Sequence, residues 1–209
     1  MILCVTFENA HLYGSALASQ YRLRHRCFIE RQDYNVFSYN HMEYDQYDNP
    51  SSVYLVYQDD NGQALGVSRL TPVRHRSMLK DLQPDMVEKK GIFSDPYAWE
   101  GTRFCVEKEL DPALRDKIVK ELVMAYYEFG LEHGVSKIIG MMPTFIWKRV
   151  LQQNGCVCEI LGPVKLIDGQ KIQAVSLDIN YENYLAVHRK TGLMKGVIYL
   201  NEKTTKQAA

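Results

Sequence analysis

Residues 112–134, PALRDKIVKELVMAYYEFGLEHG, decide the fold. Leu114, Ile118, Leu122, Ala125, Tyr126 and Phe129 recur at the spacing that gathers side chains on one helical face. Asp111-Pro112 reads as the helix start, since proline fits a first turn whose N–H has no helical partner. Gly134 follows the end. On either side lie strand-like runs, Trp99 to Glu107 and Ile138 to Met142. Further on, Phe145 to Asn154 reads as a helix closed by Gly155. Val157 to Ile160, Val164 to Ile167 and Gln173 to Ile179 read as strands, with Asp168-Gly169 as a turn. Asn180 to Lys190 reads as a last helix followed by Gly192, and Asn201 to Ala209 as a frayed tail.

Upstream, Ile2 to Phe7 reads as a strand. Leu12 to about Arg31 reads as a helix with Leu17, Tyr21, Leu23, Cys27 and Phe28 on its apolar side. Gln32 to His41 is polar and irregular, but it holds Tyr34 and Phe37. Ser52 to Gln58 and Ala64 to Thr71 read as strands joined at Asp59-Asp60-Asn61-Gly62. Met78, Leu79 and Leu82 suggest a short helix, and Gln83 to Tyr97 a loop. Strands first, then strand, helix, strand and helix, predict one mixed sheet with helices on its faces, in a single domain over 1–209.

Lys and Arg balance Asp and Glu at 25 each, which argues against a nucleic-acid binder that relies on a strong overall field. The five cysteines are odd in number and form no C-x-x-C pair. No histidine stands at metal-ligand spacing from them, so reduced, packed thiols in a cytoplasm are expected, with no metal. His25 and His133 read as ordinary helix residues. The first residues carry no basic flank of a signal peptide, and no apolar run reaches membrane-spanning length.

The densest charge lies in Met42-Glu43-Tyr44-Asp45-Gln46-Tyr47-Asp48-Asn49-Pro50. Asp45 and Asp48 share a face on a helical turn, whereas Glu43 and Asp45 share one on a strand. Taken alone, such a stretch is as well explained by a solvated loop. Its flanks suggest more. Arg22, Arg24, Arg26 and Arg31 precede it, and Trp99-Glu100-Gly101-Thr102-Arg103-Phe104 adds another acid and base among aromatics.

Four motifs in order resemble the acyl-homoserine-lactone (LuxI-type autoinducer) synthases. They are Arg24-x-x-x-Phe28, Glu43-x-Asp45-x-x-Asp48, Gly66-x-x-Arg69-Leu70-x-Pro72 and Trp99-Glu100-x-Thr102-Arg103-Phe104-x-Val106. They cover Arg24 to Val106, and the second half follows in pattern. The chain departs from the family at Tyr34, where the family usually has Trp. The resemblance implies an α/β (α+β) three-layer sandwich of the GCN5-related acetyltransferase type, with a mixed, mostly antiparallel sheet and helices on both faces. It also implies an acyltransferase that uses S-adenosylmethionine (SAM) as substrate, with no tightly bound cofactor. The SAM amine attacks an acyl thioester, on acyl carrier protein or coenzyme A. The methionine carboxylate then displaces methylthioadenosine and closes the lactone.

This chemistry needs a base for the SAM ammonium: Glu100 first, Asp45 second unless Asp45 holds the ammonium instead. It needs a forked cation for the carboxylate, which Arg103, Arg69 or Arg24 offers. Phe28 and Tyr34 suit the sulfonium, and Asp48 and Phe104 complete the expected SAM site. N–H groups where strands splay apart would meet the oxyanion. Each residue also has an ordinary reading, as core, solvated charge or surface ion pair. Acyl selectivity is expected between the sheet and the later helices. The candidates are Met78, Leu79, Leu82, Leu122, Met124, Tyr126, Met141, Met142, Phe145, Trp147 and Leu151, most of them equally good core residues. In the family a Thr near Met141 tends to accompany 3-oxoacyl chains. Met141 cannot donate a hydrogen bond, which favours an unsubstituted chain. Lys148, Arg149 and Lys137 could attract an acidic carrier. The alternatives are an acyl-CoA N-acetyltransferase and a non-catalytic sensor. The first is weakened because Glu109 to Asp116 has no glycine to let backbone approach a pyrophosphate.

Overall fold

A computed structural model describes residues 1–193 and 196–199; the expected frayed tail lies outside them. The strands are β1 (Ile2–Val5), β2 (Ser38–Tyr39), β3 (Met42–Glu43), β4 (Val53–Gln58), β5 (Ala64–Pro72), β6 (Ala98–Val106), β7 (Lys137–Pro143), β8 (Cys158–Ile160), β9 (Lys165–Ile167), β10 (Gln170–Asp178) and β11 (Ile198–Tyr199). The α-helices are α1 (Gly14–Arg24), α2 (Met78–Leu82), α3 (Pro112–Glu132), α4 (Thr144–Val150) and α5 (Tyr181–Thr191). One nine-stranded sheet runs β11-β1-β4-β5-β6-β7-β10-β8, with β9 also on β10. The pairs are antiparallel except β1–β11 and β6–β7. The three-layer, mostly antiparallel architecture is as expected.

Helix α3 fills one face. Asp111 caps it by accepting the Ala113 N–H at 2.8 Å, and Ile118, Leu122, Tyr126 and Phe129 pack with Leu55, Leu70 and Ile138 of the sheet. It lies so close that a Cβ on Gly66 of β5 would stand 2.4 Å from Ile118 Cγ2. Trp147 and Leu151, at and just after α4, and Val187 of α5 complete this layer. On the opposite face Leu23 and Cys27 meet Val56, Val67 and Cys105.

Several elements differ from the sequence reading. The first helix does not run evenly to Arg31. After Arg24 it widens into a π-helix, His25–Glu30, marked by Arg31 N–H donating to the Arg26 carbonyl at 3.1 Å. The Phe145 to Asn154 helix is α4 followed by a 3-10 turn, Gln152–Asn154. The supposed loop 83–97 contains two 3-10 turns, and β10 starts three residues earlier than expected. The β2–β3 hairpin and β11 were not foreseen; two-residue strands carry too little periodicity to read.

Two irregularities shape the centre. Opposite Val67-Ser68-Arg69, β6 spends one extra residue, since Val67 pairs with Cys105 and Arg69 with Thr102. Arg103 lies in this bulge with φ +54°. The extra residue resets the alternation of β6, so Glu100, Thr102 and Arg103 all reach the α1 face. The second irregularity is between β6 and β7. Their register covers Ala98 to Glu100 against Lys137 to Ile139 and goes no further. Beyond it β6 stays with β5 and β7 with β10, so the two strands diverge.

Candidate active site

Three arginines and three carboxylates interlock on the α1 side of the sheet. Arg24 of α1 donates Nε to Glu43 at 2.6 Å and both terminal nitrogens to Asp48 at 2.8 Å. Arg69 of β5 donates to Thr102 Oγ1 at 2.9 Å, to Asp45 at 2.6 and 3.2 Å, and lies 2.9 Å from Asp48. Arg103 donates to Glu43 at 2.9 Å and to Asp45 at 2.6 Å. Glu43 ends β3, and Asp45 and Asp48 come from the tight turn after it, where Asp48 accepts the Asp45 N–H at 2.8 Å and the Tyr54 hydroxyl also at 2.8 Å. Both geometries weighed for this stretch therefore occur in sequence: Glu43 ends a strand and Asp45 to Asp48 turn. These ion pairs satisfy charges that burial would otherwise penalise heavily.

Burial pushes the Asp48 carboxyl up, but hydrogen bonding and charge from Arg24, with Arg69 beside it, outweigh this and hold it well below the carboxylate range. Burial likewise pulls the Arg24 guanidinium down, and Asp48 and Glu43 together hold it above its ordinary value. Exposure divides the group. The Arg24, Arg69 and Glu43 side chains are 0% exposed and Asp48 5%, whereas Asp45 is 10% and Arg103 11% exposed.

Glu100 does not bond to Arg103. It accepts the N–H groups of Met78 at 2.7 Å and Leu79 at 2.8 Å, the first residues of α2. Burial raises its carboxyl above the usual range; the Leu79, Ser77 and Met78 donors oppose this only in part. The glutamate thereby fixes α2 to the sheet, and Met78 Sδ rests 3.8 Å from Arg103.

Phe28, on the π-helix, lies under the Arg103 guanidinium, 5.5 Å from ring centroid to Cζ, and stacks on Tyr34 at 6.2 Å. Phe104 is not with them. It is on the α3 face, edge-on to Tyr126 at 6.2 Å, because it follows the bulge. The expected acyl-pocket residues also divide. Leu122, Met124, Tyr126, Met142, Trp147 and Leu151 pack on the α3 face. Leu79 and Met141 pack with Ala98 and Ile139 on the other, near Met78. Phe145 and Leu82 are exposed. The divergence of β6 and β7 lies between the two groups. Beside it Tyr126 bonds to Ser68 at 2.6 Å, and a Cβ on Gly101 would stand 3.0 Å from the Tyr126 hydroxyl.

Sequence reasoning left Glu43 out of the site residues, although it stood in the quoted motif and is the shared acceptor of Arg24 and Arg103. Tyr54 and Thr102 were also missed. A lone Tyr on a strand gives no signal of its hydrogen-bond partner.

The autoinducer synthase family model matches residues 8–187. The chain belongs to the autoinducer synthase family. It is thereby an enzyme of the acyltransferase class. It is 30% identical over 195 residues to the isovaleryl-homoserine lactone synthase of Bradyrhizobium diazoefficiens, covering 92% of this chain and 86% of that one. It is 30% identical over 178 residues to an acyl-homoserine-lactone synthase of Pseudomonas aeruginosa, covering 83% and 85%. Among solved structures, a CoA-dependent acyl-homoserine lactone synthase with SAM and isopentyl-CoA superposes with a TM-score of 0.86 at 28% identity. The superposition covers 96% of this chain and 93% of that one. Among the described residues no helix is long and apolar enough to cross a membrane.

Proposed function

We propose that this enzyme makes an N-acyl-L-homoserine lactone from SAM and an acyl thioester in the cytoplasm, where its five thiols stay reduced. The observation that carries the reading is the exposure of Asp45 and Arg103 beside four buried partners. A zwitterionic amino acid is recognised there by exchange: its ammonium takes Asp45 and its carboxylate takes the Arg103 fork, while Glu43 keeps Arg103 in position. Phe28 and Tyr34 face the sulfonium. Arg24, Arg69 and Asp48 hold the acidic turn rather than touch substrate.

Glu100 receives the proton that the ammonium must lose, through a water, because three protein donors leave one of its four acceptor sites open. The freed amine attacks the thioester carbonyl, the C–S bond breaks, and the carrier thiol leaves. A SAM carboxylate oxygen then attacks the γ-carbon, the bond to the sulfonium breaks, and methylthioadenosine leaves neutral. N–H groups on the unpaired edges of β6 and β7 are the oxyanion donors. The acyl chain runs through the divergence, with Phe104, Tyr126 and Met142 along it, and is unsubstituted at the 3-position.

An acyl-CoA donor is supported by the CoA-dependent relative. Acyl carrier protein is the competing donor, for which Lys148 and Arg149 lie exposed on α4. Mass spectrometry of solvent extracts from expressing cells tests the class and identifies the chain. In vitro, methylthioadenosine release separates a synthase from an N-acetyltransferase or a sensor, neither of which makes it.

A further inference from the structure

Three potential metal ligands that the reaction does not use meet at one edge of this site. His25, Glu30 and His41 each offer an atom within 4.8 Å of the others. The fold makes this meeting deliberate in two places. Residues five apart on an α-helix point about 140° away from each other, yet His25 Nδ1 lies 3.1 Å from Glu30 Oε1. The π-helix does this, because its wider turn stacks residue i over residue i+5. The second place is the β2–β3 turn, where Asn40 and His41 both take positive φ, +51° and +59°. Two-residue hairpins need that conformation and favour glycine at the second position. A histidine here carries backbone strain and aims its ring at His25, 5.4 Å between centroids.

We propose that His25, Glu30 and His41 bind a divalent transition-metal ion of the zinc class, which clips the β2–β3 hairpin onto the helix. Two imidazoles and a carboxylate are a borderline donor set that suits zinc, with water in the fourth position. Ligands at Zn–N and Zn–O distances of about 2.0–2.2 Å sit about 3.3 Å apart around a tetrahedral ion. Glu30 and His41 are exposed and free to rotate inward. The consequence reaches the catalytic side. The hairpin leads into Glu43 and Asp45, and the helix carries Arg24 and Phe28, so the ion would tie together the two segments that contact SAM in the proposed function.

The test is calorimetric titration of tag-free, reduced protein with zinc chloride, repeated with cobalt(II) to read the donors. Expected is one equivalent bound with a cobalt spectrum free of thiolate charge-transfer bands. His41→Ala and Glu30→Gln, both at exposed positions, should each weaken binding by about tenfold or more. Zinc should slow amide exchange over residues 38–43 in the wild type but not in His41→Ala. No saturable binding, a thiolate spectrum, or unchanged affinity in His41→Ala would each overturn the site. None of these readouts depends on turnover, so the result stands apart from the proposed reaction.

Discussion

Glu43 and Arg103 are partners with different exposures, and substitutions should separate them. Glu43 is fully buried between two guanidiniums. Glu43→Ala leaves the Arg24 Nε–H without an acceptor in the interior while Asp48 still holds the two terminal nitrogens, and a buried donor left unsatisfied costs about 1–3 kcal/mol. Thermal or urea unfolding should show that loss. Arg103→Ala, at a part-exposed position, should lose less stability but raise the KM for SAM strongly. Arg103→Lys should rescue only partly, because the fork is gone. Full rescue by Lys would reduce the contact to a point charge. Glu100→Gln should lose most turnover; its amide has one acceptor oxygen for the Met78 and Leu79 N–H groups, so SAM binding should also weaken, but by less than turnover. The raised carboxyl also places the acid limb of wild-type kcat/KM above the ordinary glutamate value of about 4.3. A limb at or below that value would remove Glu100 as the base. At position 34 the phenol ring stacks on Phe28, which lies under Arg103. Cation–π contacts span about 0.5–2 kcal/mol and are strongest for Trp. Tyr34→Trp should therefore keep activity with equal or lower KM for SAM, and Tyr34→Ala should be strongly impaired. Unchanged SAM kinetics in Tyr34→Ala would detach this residue from the substrate.

Strand β6 and helix α2 do together what neither does alone. The bulge turns Arg103 onto the face of Glu100, and Glu100 anchors the first N–H groups of α2. The bulge has a measurable backbone signature. A non-glycine residue at φ +54° is strained by about 1 kcal/mol or more. Both Arg103→Ala and Arg103→Gly delete the guanidinium, but only glycine relieves the backbone. Arg103→Gly should be the more stable of the two by about 1 kcal/mol in equilibrium unfolding; equal stabilities would contradict the left-handed conformation. These features were poorly legible in advance. The motif around Arg103 marked residue types, and alternation along a strand would have put Arg103 opposite Glu100. The extra residue that reverses this appears only when β5 is laid beside β6. In the same way Phe104 was expected with SAM and lies instead on Tyr126.

Stability across pH should reflect two opposed kinds of carboxyl. Asp48 is held low, so its contribution is full above the unfolded value of about 3.9 and is lost as pH falls toward its folded value. Glu100 is held high, so its contribution is present below about 4.3 and is lost as pH rises through its folded value. The melting temperature should rise as pH is lowered from neutrality and then fall in acid. Glu100→Gln should flatten the first limb and leave the acid fall intact. An unchanged neutral limb in that variant would assign the effect elsewhere, Glu128 being another raised carboxyl, though only half-buried. From sequence alone came the order of the main helices and strands, the two-sided sheet, and four motifs that identify the family. All rest on neighbours in the chain, because helical period, strand alternation and capping act over a few residues. Tertiary structure alone decided which arginine meets which acid, across 19 to 60 positions. It also decided that Glu100 holds α2, that the acyl candidates fall on two faces, and that His25 and His41 meet. Those outcomes depend on strand register, one bulge and one widened helical turn, each of which moves a side chain by a whole face while leaving local composition unchanged.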